Sequence, residues 1–391
     1  MIEKLKKTSL MQIAILTFLI VNVSISFTAF HFLQGISYLV WSICCLSFAV
    51  LSVLSIRKPV ITYLDACVIT YLTMLMVFTI INGTDIKTAL YRSIEVVLLI
   101  LVLNYWQKPE TVVKTFATVL SVCVYANLVI MILFPDWMFA AKDTFDSHLL
   151  GGNYNQIGSR LVFVLTMTSI CIKFSKWWIV NLVALMIVSI ITLILVGSMT
   201  SLSCILLFIL FCLIPSLRFQ KLCLVSFFLF YLTFQFFVVF SGEGLHNNSL
   251  AVYIIEDVLG KDITFTNRTQ LWDAAGSKFA ESPIIGYGFV DSEWYLSEMD
   301  SFAIGPHNFI YNVLINGGLS LMTILLLTAI MALRSIRQCF DKTAALLLMG
   351  TCTMLFMMTM EVYPFFFLFS MFYVIYYYPT MKFQKHESSQ Q

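Results

Sequence analysis

Three basic residues could bind an anion and move a proton: Arg160, Arg268 and His307. A guanidinium group offers a fork of N–H donors that suits phosphate oxygens. An imidazole can take a proton from a hydroxyl group near neutral pH. These residue types therefore predict a site that holds an anionic ligand and carries out acid–base chemistry.

Arg268 lies in a stretch that is typical of a helix start, with Asn267 as the N-cap and Gln270 at the capping-box position. Free N–H groups of the first turn, the Thr269 hydroxyl and the guanidinium together predict a diphosphate site. The alternative is that Arg268 pairs with a nearby carboxylate. An apolar stripe predicts that this helix lies along the membrane surface, on Leu271, Trp272, Ala275 and Phe279.

His307 follows Pro306, which suits the first position of a helix, so we expect the imidazole at the boundary of the membrane. There it could accept a proton from a hydroxyl group. The alternative is an interfacial histidine that is bonded to a backbone carbonyl.

Polar residues continue into the apolar segment after His307. Asn308, Asn312 and Asn316 recur every four residues, and Tyr311 follows His307 by four. Such polar faces line a wet cavity or join helices to one another, and Gly317-Gly318 would support the second reading as close-packing residues.

Arg160 and Arg92 lie inside or near the ends of other apolar segments. A charged residue at mid-membrane costs about 2.5–3.5 kcal/mol on insertion scales. Arg92 has Glu95 three residues later as a neutralising partner, whereas Arg160 has no such local carboxylate. Arg160 is therefore the stronger candidate for an anion ligand.

The elements that position these residues are membrane helices. The 391 residues are 60% hydrophobic and 11% charged, with a mean hydropathy of +0.91, so a water-soluble fold is excluded. We predict an all-α polytopic membrane protein of about twelve spanning helices, because apolar runs of about 20 residues satisfy their own backbone hydrogen bonds in lipid. The predicted spans are residues 8–27, 34–55, 60–81, 89–106, 115–134, 156–173, 177–196, 202–216, 222–241, 307–331, 343–362 and 365–381.

The signs of the loop charges predict the orientation. Sixteen of the 23 basic residues fall on the side of the two termini, which the positive-inside rule assigns to the cytoplasm. This layout predicts spans 1–9 in residues 1–240, an extracytoplasmic loop with short helices at 241–306, spans 10–12 in 307–381 and a cytoplasmic tail at 382–391.

Several function classes are disfavoured. A net charge of +2 without a basic tail argues against nucleic-acid binding. The sequence has no Walker loop, dinucleotide fingerprint or zinc spacing, so we expect no metal and no cofactor. The ten cysteines lie within or at the ends of apolar runs, which predicts no disulfide framework.

The stretch from Asn267 to Leu321 resembles the bacterial O-antigen ligase and Wzy-like polysaccharide polymerase superfamily. The resemblance rests on Arg268 with Leu271-Trp272, on the run from Glu281 to Gly288, and on His307-Asn308 with Gly317-Gly318-Leu319 ten residues later. The segment from Asn153 to Arg160 also looks like this family. A further arginine, which members often carry after a Thr-x-Ser segment, is missing at residues 197–203.

The resemblance implies a metal-independent, inverting glycosyl transfer between lipid-linked sugars in the outer leaflet of the cytoplasmic membrane. The donor and acceptor would be oligosaccharides on undecaprenyl diphosphate, and the partners would include chain-length regulator and flippase proteins. His307 would deprotonate the acceptor, while Arg268 and Arg160 would hold the diphosphate. Arg92, as the substitute for the missing arginine, and Asn153, Asn155, Thr269, Asn308 and Tyr311 would bind substrate.

The function expected from this resemblance is a repeat-unit polymerase for capsule, exopolysaccharide or O-antigen. A ligase that moves finished glycan to another acceptor would share the chemistry. A flippase for lipid-linked oligosaccharide is the alternative from another class, and the long polar loop favours the enzyme.

Overall fold

The computed structural model describes residues 2–27, 34–56, 60–134, 148–151, 154–247, 249–258, 262, 267–299, 305–381 and 383. Most of these residues are helical, and there is no β-strand among them. The α-helices of seven or more residues are α1 Ile2–Ser24, α2 Gln34–Ile56, α3 Tyr63–Asn82, α4 Ile86–Trp106, α5 Pro109–Leu133, α6 Tyr154–Cys171, α7 Trp178–Val196, α8 Met199–Cys212, α9 Leu217–Phe234, α10 Arg268–Glu281, α11 Ser292–Glu298, α12 Phe309–Ile336, α13 Lys342–Met357 and α14 Phe365–Tyr377.

Several of these helices can cross a membrane, and the chain is a multi-pass membrane protein. In the described part of the chain, six helical stretches are long and apolar enough, namely Gly35–Ile56, Tyr63–Asn82, Pro109–Leu133, Trp178–Val196, Leu217–Val239 and Phe309–Cys339. Five apolar helices are shorter: Leu10–Ser24, Gln156–Cys171, Met199–Cys212, Lys342–Met357 and Phe365–Thr380.

A helix overlaps each of the twelve predicted spans. Helix α4, which overlaps the predicted span 89–106, is in neither the long nor the short group of apolar helices. It carries Lys87, Arg92 and Glu95 in its first half, so its composition is less typical of a membrane span. The number twelve, the orientation and the segment boundaries at 240, 306 and 381 stay predictions. The predicted tail at 382–391 lies outside the described residues apart from Phe383.

Helix α6 lies at the centre of the bundle. It packs against α5, α7 and α13, and every side chain from Ile157 to Cys171 is buried. By contrast, α2, α7 and α9 present rows of exposed apolar side chains. Lipid is the solvent that suits such rows, so these helices form the rim of the bundle.

Helix α12 is broken, whereas the sequence predicted a continuous span over 307–331. At Gly317 (φ −159°, ψ 18°) and Gly318 (φ +59°, ψ −157°) the backbone leaves the helical region. A Cβ on Gly318 would lie 2.4 Å from the carbonyl carbon of Ile284. These glycines therefore end one helical piece and begin another, and Gly318 also allows the close approach of Pro283 and Ile284, in agreement with the predicted close packing.

A segment outside α12 supplies the backbone partners that the break removes. The amides of Tyr287 and Gly288 donate to the carbonyls of Ile315 and Asn316, at 2.8 and 2.9 Å. In return, the amides of Leu319 and Ser320 donate to Pro283 and Ile284, at 2.8 and 3.2 Å. We call residues 283–289 the bridging segment, since it satisfies groups that would otherwise be costly to bury.

Two predictions about α10 are wrong. Asn267 takes a left-handed conformation (φ +64°) and makes no capping bond to the helix, so there is no capping box. The side chains of Leu271, Trp272 and Ala275 are buried. Trp272 and Ala275 belong to a cluster with Tyr295 and with α12, so this face packs on protein and not on lipid.

Candidate functional site

A cavity of about 290 Å³ lies where α4, α6 and α12 meet the chain that precedes α14. Its lining combines two guanidinium groups, two amide side chains and a largely apolar remainder. The lining residues are Arg92, Gly151, Gln156, Arg160, Phe289, Asn312, Val362, Tyr363, Pro364 and Phe365.

Arg160 is the more buried of the two arginines, with 4% of its surface exposed. Its Nη1 donates to the backbone and side-chain oxygens of Gln156, at 3.0 and 2.9 Å, and its Nη2 donates to the carbonyl of Val23 at 3.2 Å. No carboxylate within the described ranges pairs with it, and its buried Nε makes no hydrogen bond there. Neutral oxygen atoms thus hold the guanidinium in place, and its positive charge remains available to bind an anion.

The backbone next to Arg160 leaves room for its guanidinium. Gly151 has φ +83°, and a Cβ there would lie 3.3 Å from Cζ of Arg160. The Gly151 amide donates to the carbonyl of Ser24 at 2.8 Å, which fixes this turn to the end of α1. On the other side, the ring centroid of Phe367 lies 4.9 Å from Cζ. Arg160 is thus held on several sides.

Arg92 shares the cavity with Arg160 but has a counter-ion. Its Nη1 lies 3.3 Å from Oε2 of Glu95, so the predicted pairing is confirmed. Glu95 is 1% exposed and also accepts a hydrogen bond from Nδ2 of Asn22, at 2.9 Å. One third of the Arg92 side chain remains exposed. The cavity wall therefore holds two positive charges and, behind Arg92, one negative charge.

His307 faces a carboxylate that the sequence reasoning missed. Its Nδ1 lies 3.2 Å from Oε2 of Glu361, and the two side chains are 22% and 11% exposed. The backbone of His307 is left-handed (φ +45°), a conformation that costs a non-glycine residue about 1–3 kcal/mol. A histidine with a carboxylate at Nδ1 presents Nε2 as a proton acceptor, and the carboxylate stabilises the imidazolium that forms.

A short chain of hydrogen bonds connects this pair with Arg160. Oε1 of Glu361 accepts from the amide of Val362 at 3.1 Å. The carbonyl of Val362 accepts from Nε2 of Gln156 at 2.7 Å, and Gln156 in turn accepts from Arg160. His307 and Glu361 do not line the cavity, but Val362 and Gln156 do. A continuous chain of hydrogen bonds and covalent backbone thus joins the His307–Glu361 pair to Arg160.

Arg268 begins α10 and is partly exposed. Within the described part of the chain no carboxylate pairs with it, so the alternative of a local ion pair finds no support there. It is not among the residues that line the cavity. Thr269 is fully buried, and its hydroxyl makes no hydrogen bond among the described residues. Thr269 thus lies in the protein interior, whereas the neighbouring Arg268 reaches the surface.

Asn308 caps α12, so the helix begins at Phe309 and the prediction that Pro306 starts it is wrong. The Asn308 side chain is fully buried; it accepts from the Tyr311 amide at 3.0 Å and donates to Gln235 and to the carbonyl of Thr359, both at 3.1 Å. These partners occupy its donors and acceptor. Asn308 therefore holds the helix start in place, next to His307.

The remaining predicted substrate ligands are Tyr311, Asn153 and Asn155. The structure adds Asn312, which was predicted only as part of the polar face after His307. Asn312 lines the cavity and accepts a hydrogen bond from the Tyr295 hydroxyl at 3.2 Å. Tyr311 is buried, with its ring 5.4 Å from that of Phe240. Asn153 and the side chain of Asn155 lie outside the described part of the structure.

The remaining cation of α10, Lys278, is neutralised by two carboxylates. Its Nζ lies 3.0 Å from Glu281 and 3.1 Å from Glu298. The hydrogen bond from Lys278, with one from the Tyr287 hydroxyl, lowers the pKa of Glu281. The same bond to Glu281 raises the pKa of Lys278. Helix α10 thus carries one cation that is paired with carboxylates, Lys278, and one that has no such partner among the described residues, Arg268.

Comparison with known families decides the relationship. A model of the O-antigen ligase family matches residues 161–326. Residues 161–326 thus form an O-antigen ligase domain of the Wzy-like superfamily. The predicted resemblance is therefore confirmed. Neither the curated proteins nor the solved structures that were compared contain a match.

Superfamily membership implies an enzyme that transfers glycans. The matched region contains Arg268, His307 and the break in α12, and it begins one residue after Arg160. Glu361 lies beyond it and had a sequence signal of its own. It is an isolated carboxylate between two apolar segments, and ionisable residues in such places are functional candidates.

Proposed function

We propose that this protein is a polysaccharide polymerase of the superfamily. It joins oligosaccharide repeat units, carried on undecaprenyl diphosphate, into capsule, exopolysaccharide or O-antigen. The reaction takes place at the outer face of the cytoplasmic membrane, with both chain termini in the cytoplasm and residues 241–306 outside. The observation that carries the proposal is that two guanidinium groups, Arg92 and Arg160, line one cavity.

The cavity suits a diphosphate because its positive charge exceeds its negative charge. Arg160 is buried without a carboxylate partner in the described residues, and a buried cation is costly unless an anion joins it. Arg268, whose charge is also unpaired there, is the third candidate ligand. Guanidinium groups can stabilise the charge that develops as a diphosphate leaves, and the proposed step needs no metal ion.

His307 and Glu361 supply the proton transfer. Nε2 of His307 accepts the proton of the attacking sugar hydroxyl, while Glu361 at Nδ1 stabilises the imidazolium. The acceptor oxygen bonds to the anomeric carbon as the bond from that carbon to the diphosphate oxygen breaks. The electron pair leaves with undecaprenyl diphosphate, and the anomeric centre is inverted.

A ligase that transfers finished glycan to another acceptor would use the same groups. The long segment at 241–306, which contains α10 and α11, and a histidine held in strained backbone beside a carboxylate favour an enzyme over a flippase. Glycosyl transfer to a hydroxyl group benefits from a positioned proton acceptor, and His307 beside Glu361 offers one.

The test is made in cells whose only copy is Arg160→Gln, His307→Ala or Arg268→Ala, with Lys278→Ala as the matched control because Lys278 is a cation of the same helix as Arg268. Lipid-linked glycans are extracted and their length and membrane side are determined. We expect single repeat units in the outer leaflet for the three site variants and normal polymer for the control. Repeat units trapped on the inner side would indicate a flippase, and full-length lipid-linked polymer that is not passed on would indicate a ligase. Normal polymer in all three site variants, at normal protein level, would refute the site.

A further inference from the structure

Glu95 is a buried carboxylate that the proposed mechanism does not use. It is 1% exposed and accepts hydrogen bonds from two sides, from Asn22 at 2.9 Å and from Arg92 at 3.3 Å. Asn22 is held in turn by Tyr91, whose hydroxyl lies within hydrogen-bond distance of both its side-chain atoms, at 2.9 and 3.1 Å. Glu95 is therefore fixed in place behind the arginine that lines the cavity.

The position of Glu95 gives it an effect on any anion that enters. Two arginines beside one cavity repel each other, and a carboxylate behind one of them offsets that repulsion while the cavity is empty. An anion that binds Arg92 must then compete with Glu95 for the guanidinium and is itself repelled by the carboxylate.

We propose that Glu95 is the resident counter-ion of the cavity and sets its affinity for diphosphate. It weakens binding so that the undecaprenyl diphosphate product can leave after each transfer. This inference rests on the proposed function, because it takes the cavity to be the diphosphate site. Glu95 acts here through Arg92 and is a positioning residue, not a catalytic one.

The alternative is that Glu95 only stabilises the fold by neutralising Arg92. The two roles predict opposite results for Glu95→Gln, which keeps the shape of the side chain and removes its charge. A fold-stabilising residue would leave diphosphate affinity unchanged or reduce it. A counter-ion of the site would have the affinity rise, by roughly tenfold for one charge removed at short range in a partly buried site.

The experiment measures binding of inorganic diphosphate to the full-length protein in detergent by titration calorimetry. The variants are Glu95→Gln and, as the matched control, Asp65→Asn. Asp65 is also a buried carboxylate on a helix, with Asn104 and Tyr373 as partners, and does not line the cavity. We expect about tenfold tighter binding for Glu95→Gln and no change for the control.

A second variant keeps the inference testable if Glu95→Gln does not fold. Asn22→Ala removes the other donor to Glu95, so the carboxylate relies on Arg92 alone and diphosphate should bind more weakly than to the wild type. Unchanged or weaker binding by a folded Glu95→Gln protein, or tighter binding by Asn22→Ala, would overturn the inference. Diphosphate that binds neither the wild type nor Glu95→Gln would instead refute the cavity as the anion site, which is a failure of the proposed function.

Discussion

The break in α12 makes a quantitative prediction for Gly318→Ala. The backbone of Gly318 (φ +59°, ψ −157°) lies in a region that is essentially restricted to glycine, and an alanine held there costs about 1–3 kcal/mol. The new Cβ would also lie 2.4–2.6 Å from backbone atoms of Ile284 and Pro283, which cannot rotate away. If the bridging segment withdraws, the bonds from Leu319 and Ser320 are lost, at about 0.5–1.5 kcal/mol each.

These contributions give a loss of roughly 2–6 kcal/mol in the free energy of unfolding. Two glycines serve as graded controls. Gly317→Ala should cost less, because its φ of −159° is ordinary extended backbone and its Cβ would meet side-chain atoms of Leu321 and not another segment's backbone. Gly244→Ala should cost little, because no atom lies within 4 Å of its Cβ position.

The assay is unfolding of the purified protein by a denaturing detergent, followed by tryptophan fluorescence. We expect Gly244→Ala to be the most stable of the three variants, Gly317→Ala to be intermediate and Gly318→Ala to be the least stable. A Gly318→Ala protein as stable as Gly244→Ala would show that the bridging segment does not complete the broken helix.

Three further predictions test other parts of the structure. Glu361→Gln should lower polymer synthesis by about ten- to a hundredfold with normal protein levels, because His307 loses the charge that stabilises its imidazolium; polymer analysis in cells would show unchanged synthesis if the pair has no role. Asn308→Ala should destabilise the protein by about 2 kcal/mol in the same unfolding assay, through the lost cap and unpaired buried partners. Burial raises the pKa of Asp341, but the hydrogen bond from Lys173 and the helix-capping bond outweigh it, so the pKa is lowered below 3.8. The carboxylate of Asp341 therefore stabilises the folded protein fully at pH values above 3.8, and this stabilisation is lost as the pH falls through the lower pKa of the folded state. The free energy of unfolding of Asp341→Asn should depend less on pH in this acidic range than that of the wild type.

Features that a local sequence pattern determines could be predicted from the sequence. Apolar runs of span length became helices, since in lipid the backbone has few other ways to satisfy its hydrogen bonds. Arg92 and Glu95 met because three residues along a helix is one turn. The family relationship was also readable, because its motifs lie in one stretch of the chain.

Features that depend on contacts between residues distant in sequence could not be predicted. Asn308 and not Pro306 begins α12 because Gln235 and the carbonyl of Thr359 hold its side chain. Trp272 is buried because α12 covers it, which a stripe on one helix cannot reveal. Glu361 lies 54 residues after His307 and joins it only through the turn between α13 and α14.

The bridging segment also connects the long loop with the cavity, and this gives the break in α12 a role in function. Phe289 lines the cavity at the end of this segment, and its amide is fixed by Thr79 at 2.8 Å. The other end of the segment is held by α12 only because the helix is broken and offers free backbone groups. A straight helix would satisfy its own backbone and leave the segment without these partners. The broken helix therefore fixes Phe289 in the wall of the cavity that holds Arg160, and a change at Gly318 should impair glycan transfer as well as stability.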